Sequence, residues 1–219
     1  WLPNTLSDLL SCHSDGRLFY FEFQSACVIM LLTDWRMIMH THIRELAYCG
    51  CCTALLAVCS WISIPFPIPF TLQTFAVFLL GRLLGGRNAT LCVCCYLLCG
   101  AIGLPVFSGF RGGISVMFDL TGGYLLGFLL SMLLLWLTER WWSKSRPRFL
   151  LCAFAALLIC YMFGTLWFLF LSMNSHDPLS IAAILGVCVV PFIIPDMIKI
   201  LMADMLGRRL RHLLHLNAE

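Results

Sequence analysis

Close to its C-terminal end the chain reads Pro195-Asp196-Met197-Ile198-Lys199, a carboxylate and an ammonium set three residues apart in strongly apolar surroundings. On a helix this spacing puts both groups on one face. Ionisable groups at membrane depth are costly, and by default they mark a functional site together with their partner. The pair can act as a structural ion pair tying the last helix to its neighbours, or as the polar end of a ligand site. In the second use Asp196 accepts N–H donors and Lys199 donates to a carbonyl or carboxylate. Proton coupling is the weaker use, because no further acid or His chain accompanies the pair.

A second unusual stretch is Gly103-Leu104-Pro105-Val106-Phe107-Ser108-Gly109-Phe110-Arg111-Gly112-Gly113, followed by Thr121-Gly122-Gly123-Tyr124. Its glycines permit close backbone approach, and Phe107, Phe110 and Tyr124 offer flat apolar surfaces. A connection of about twenty residues is long for a turn and is expected to carry function. It reads as a flexible lid over a small ligand, or as a re-entrant surface loop without one. A cyclic urea fused to a thioether ring would satisfy the lid and the ion pair together, as would other small vitamins.

These residues must be positioned by elements that live in lipid. Of 219 residues 61% are hydrophobic and 11% charged, with a mean hydropathy of +0.92, whereas a soluble domain carries roughly 25% charged residues. Lipid admits only helices or closed barrels, because every backbone polar group must be paired internally. Long unalternating Leu, Phe, Cys and Ala runs select helices, so the fold class is all-α and polytopic. Six spans are predicted at about 44–61, 71–84, 88–102, 123–137, 149–173 and 195–210. The prolines of Ile64-Pro65-Phe66-Pro67-Ile68-Pro69-Phe70 form a hinge between the first two, and 178–190 is a candidate surface or partly buried helix.

Charge placement supports the count. Arg44, Arg82, Arg87, Arg140, Lys144, Arg146, Arg148, Arg208, Arg209 and Arg211 all fall on one side of such a bundle, while Arg111, Asp119 and Asp177 fall on the other. Basic loops are cytoplasmic, which puts both termini in the cytoplasm of a multi-pass protein of the cell membrane. Residues 1–40 lack the basic, apolar, small-residue order of a cleaved signal peptide. They read as a non-conserved or disordered extension, with Met39 a candidate start and 41–219 the membrane domain. A net charge of +3 without a basic stripe excludes a nucleic-acid partner.

Several motifs resemble the BioY family in order and spacing: IPFPIPFTLQ at 64–73, GAIGLPVF at 100–107, Gly112-Gly113, TGGYLLGF at 121–128, Tyr161-x-x-Gly164-x-x-Trp167, and PDMIK at 195–199. The resemblance runs from about residue 41 to 211. It implies a six-helix S component of an energy-coupling-factor (ECF) transporter, which binds biotin from outside and works with a scaffold membrane protein and two ATPases. It also implies a pocket lined by Asp196, Lys199, Tyr124, Gly112, Gly113, Gly122, Gly123 and Phe107. Thr71 and Gln73 belong either to that pocket or to the cap of the second helix. Ser108-Gly109-Phe110-Arg111 and Asp119-Leu120 depart from the family pattern. Arg111 either meets a ligand carboxylate or sits in water, and water is the expectation for a loop charge.

The first span carries Ala47, Gly50, Ala54 and Ala57, a small-residue stripe that permits close helix approach. The resemblance implies that this face docks the scaffold protein, whereas the bland use is packing within the chain. Gly81-x-x-x-Gly85 and Gly123-x-x-x-Gly127 share that ambiguity. The sequence has no P-loop, so ATP would be used by partner subunits, and no cofactor or metal of its own is expected. Rival functions are a solitary biotin facilitator, an S component for another vitamin, or a thiol- or metal-dependent enzyme built on Cys49-x-x-Cys52 and Cys92-x-x-Cys95. The last is disfavoured because those cysteines sit in apolar helices without His or carboxylate neighbours, and no catalytic residue set presents itself.

Overall fold

A computed structural model of the chain describes residues 47–64, 70–173 and 181–213. The expected extension at 1–40, the candidate start Met39 and the prolines of the hinge lie outside the described residues. From Tyr48 onward the described residues form one unit. Its elements are α1 (Ala47–Trp61), β1 (Ser63–Ile64), β2 (Phe70–Thr71), α2 (Gln73–Leu84), α3 (Gly86–Ile102), α4 (Ile114–Met117), α5 (Gly122–Leu137), α6 (Glu139–Trp142), α7 (Arg146–Met173), α8 (Ile181–Cys188) and α9 (Val190–Leu213). The protein is an all-α polytopic membrane protein with six apolar helical segments, as the composition requires. Two of them, α7 and the α8–α9 run, are long enough to cross a bilayer outright, and α1, α2, α3 and α5 are shorter.

The largest helix contacts are α5 on α7 and α2 on α9, with α3 laid against α5. Between α5 and α7 the packing is polar as well as apolar: Ser131 Oγ donates to Gly127 O at 2.9 Å and to Ala156 O at 2.7 Å. Without a hydrophobic driving force between helices in lipid, such bonds and close small-residue contacts do much of the joining. Trp142, Tyr96, Phe78, Phe107 and Phe149 are fully buried and fill the bundle interior. The first two helices are linked through the antiparallel pair Ser63↔Thr71 and Ile64↔Phe70. This short ribbon fixes Phe70 and Thr71 beside α9.

Three expectations are corrected. The last span begins at Val190 and not near 195, and Pro195 lies inside α9. Pro191 sits in the first turn, where a missing N–H is tolerated, and Pro195 costs the helix the one bond its N–H would give to Pro191 O. The fifth span begins at Arg146, which places Arg146 and Arg148 in the helix rather than in the preceding loop. The flexible lid is a folded cap: Phe107 N donates to Arg111 O at 3.0 Å, Gly113 N donates to Gly100 O at 2.7 Å, and a 3₁₀ turn (Ser108–Phe110) and α4 occupy the connection. Phe110 holds a left-handed φ of 57° and stacks on Trp61 with ring centroids 4.9 Å apart.

Candidate functional site

The ribbon, the cap and the N-terminal halves of α2, α5 and α9 surround a cavity of ≈ 700 Å³, counting the space at its open side. Its polar end is the pair identified from spacing. Lys199 Nζ lies 2.8 Å from Asp196 Oδ1, and both residues are buried. The ammonium also donates to Thr71 O at 2.8 Å and sits 3.9 Å from the centroid of Phe70. One proton thus goes to the carboxylate, one to a strand carbonyl, and the third side faces an aromatic ring. The second carboxylate oxygen, Oδ2, accepts from Tyr161 OH at 2.7 Å. Every strong group in this buried cluster is therefore paired, as low-dielectric surroundings demand.

Apolar walls complete the site. Phe107, Val116, Leu125, Phe128, Leu157 and Phe192 line it, together with Tyr124, whose hydroxyl is 3.4 Å from Thr165 Oγ1. Ser108 and the exposed Arg111 also line it. Arg111 is neither simply solvated nor aimed at the pair, since its Nη1 binds Asp119 Oδ2 at 2.9 Å across the cap.

The structure thus brings Asp196, Lys199, Tyr124, Phe107, Thr71 and Gln73 to one cavity. It does not bring Gly112, Gly113, Gly122 and Gly123 to its wall. Gly112, Gly122 and Gly123 let backbone and aromatic groups approach, since a Cβ on Gly123 would overlap Trp167 and one on Gly122 would overlap Met117 O, while Gly113 holds a left-handed φ of 102°. Thr71 lines the cavity, and its Oγ1 accepts from Gln73 N at 3.3 Å, but the N-cap position of α2 is held by Leu72. Of the small-residue stripe on α1, Ala47, Gly50 and Ala54 are exposed, whereas Ala57 is buried in the core. Ala57 therefore faces the bundle and leaves the stripe one residue shorter.

Two residues of the buried polar clusters were not singled out from the sequence. Tyr161 belongs to a quoted motif, yet only the crossing of α7 and α9 aims its hydroxyl at Asp196. Asp204 is fully buried and lies two turns beyond Asp196 on α9, where it meets Arg82, Arg146 and Arg208. An acid four residues before Arg208, inside an apolar helix, was the available signal. Among the described residues no group of three or more His, Cys, Asp or Glu comes together to hold a metal ion. Cys49, Cys52, Cys92 and Cys95 are free thiols.

A helical membrane bundle with an apolar cavity closed at one end by a buried, fully paired acid and base defines a membrane protein that captures a small molecule with a polar tip. The chain belongs to the BioY family, whose model matches residues 33–216. It is 42% identical over 171 residues to the biotin transporter BioY of Thermotoga maritima, covering 78% of this chain and 97% of that protein. To the probable biotin transporter BioY of Pyrococcus horikoshii it is 35% identical, covering 77% and 96%. The crystal structure of the S component for biotin from an ECF-type ABC transporter superimposes with a TM-score of 0.70 at 26% identity, over 79% of this chain and 93% of that one.

Proposed function

We infer that this protein takes up biotin across the membrane as the substrate-binding S component of an ECF-type transporter. It is a transport protein and not an enzyme. The observation that carries the reading is the Asp196–Lys199–Tyr161 cluster at one end of an apolar cavity, in a chain this similar to biotin transporters.

In this reading the ureido ring of biotin enters polar end first. Asp196 accepts a ureido N–H, and Lys199 turns one donor from Thr71 O or the Phe70 face toward the ureido oxygen. Charge-assisted bonds of this kind are about twice as strong as neutral ones and discriminate against analogues that lack the ring polar groups. Phe107, Tyr124 and Phe192 cover the apolar ring. Cavity and cap face outward and both termini lie in the cytoplasm; the gathering of Arg82, Arg146 and Arg208 at the opposite end of the bundle supports this orientation. Energy comes from a scaffold membrane protein and two ATPase subunits. The exposed face of Ala47, Gly50 and Ala54 receives the scaffold, and Gly50 has open space where a Cβ would stand.

Equilibrium binding of labelled biotin to the purified chain tests the site. Asp196→Asn and Lys199→Ala are each expected to weaken binding more than tenfold, about 1.4 kcal/mol. A well-folded wild type that binds no biotin would sink the reading. Ala54→Trp tests the docking face: biotin binding should persist while ATP-dependent uptake in cells is lost, and misfolding would instead assign the stripe to internal packing.

A further inference from the structure

At the end of the bundle opposite the cavity, one carboxylate gathers three guanidiniums from three helices. Arg82 of α2, Arg146 of α7 and Arg208 of α9 reach Asp204 through Nε, at 3.1, 2.9 and 3.4 Å. Among the described residues, these three guanidiniums share the one carboxylate of Asp204. Arg82 is accounted for: its side chain is 11% exposed, its guanidinium lies 4.8 Å from the Phe149 ring centroid and 5.9 Å from that of Trp142, and it clamps α2 to α9. A clamp of this kind needs one cation. Arg146 and Arg208 differ from it, with side chains 47% and 42% exposed. Among the described residues their Nη ends have no hydrogen-bond partner, since their bonds all run through Nε.

Anchoring at Nε fixes each guanidinium while leaving the Nη donors unused. A pair of such pre-organised forks matches the oxygens of a phosphate. The surroundings favour a lipid as its source. Trp136 and Trp141 are each about half exposed at this end, Arg148 lies 5.7 Å from the Trp141 ring centroid, and Leu137 and Leu151 are exposed beside them. Exposed Trp and Arg bordering apolar surface are the signature of a membrane–water boundary, where basic pockets between helices take anionic headgroups.

We propose that Arg146 and Arg208, positioned by Asp204, bind the phosphate of an anionic phospholipid at the end of the bundle opposite the cavity. Native mass spectrometry of the full chain loaded with phosphatidylglycerol or phosphatidylcholine, with and without excess inorganic phosphate, tests this. The wild type is expected to retain phosphatidylglycerol about tenfold more than phosphatidylcholine. The double variant Arg146→Gln with Arg208→Gln should retain the two lipids equally and still bind biotin at the far end. Arg146→Lys with Arg208→Lys keeps the charge but loses the fork and should fall between. Equal retention of the two lipids by the wild type, which needs no variant, overturns the proposal. So does undiminished phosphatidylglycerol retention by a glutamine variant that still binds biotin. Inorganic phosphate that binds the wild type and displaces the lipid completely would assign the forks to free phosphate and also end it.

Discussion

Helix α9 carries two buried carboxylates eight residues apart, and their surroundings separate a binding site from a clamp. Asp196 meets one cation and one phenol, and the group balances to neutrality beside an apolar cavity. Asp204 is fully buried and meets three cations, one of which, Arg82, packs on the Trp142 and Phe149 rings. The first arrangement can exchange a partner for a ligand at little electrostatic loss, because Lys199 has more than one place to donate. The second cannot give up its carboxylate without leaving buried guanidinium charge unpaired. Burial alone therefore does not distinguish the two acids; the charge balance and the adjoining space do.

The comparison breaks most readily at Asp204. Asp204→Ala removes the acid that pairs with the buried Arg82 and is expected to cost about 3–5 kcal/mol of stability, seen as a large drop in the thermal unfolding midpoint in detergent. The protein that remains folded should bind biotin with unchanged affinity, and a parallel loss of affinity would show that the two clusters act as one. A smaller effect is expected at Tyr161→Phe, which strips Asp196 Oδ2 of a charged hydrogen bond worth about 1.5–3 kcal/mol. Here biotin affinity should fall by about tenfold, because the carboxylate is freed to turn out of register. Tighter binding by this variant would instead mean that the phenol competes with the ligand for Asp196. The smallest effect belongs to Asp119→Ala. Its pair with Arg111 is nearly half exposed on both sides, and such surface pairs contribute about 0–1 kcal/mol, so the unfolding midpoint should barely move. A large loss of biotin affinity in Asp119→Ala would make the cap pair part of the site.

The helical segments were legible because apolar runs bounded by charge follow from the solvent alone, and the Asp196–Lys199 pair because two ionisable groups three apart in such a run are rare. The start of the last span was misread because Pro195 looks like a boundary in sequence, while in the fold it is carried within a helix whose first turn holds Pro191. Tyr161 and Thr71 were visible as members of motifs but not as partners of the ion pair, since they stand 35 and 128 residues from the groups they bond. The glycines of the cap and of TGGY were legible as close-approach positions. That the approaching groups are Trp167 and Met117 O, and not a ligand, is a matter of tertiary packing.

Composition and residue spacing by themselves determined a six-span helical membrane protein with an acid–base pair on one face of its last helix, because lipid leaves no other way to satisfy the backbone and no inexpensive way to hide a charge. Only the tertiary structure decided which buried acid faces a cavity and which sits beneath three arginines. That choice depends on the crossings of α2, α7 and α9, which bring together side chains the linear sequence keeps more than a hundred residues apart.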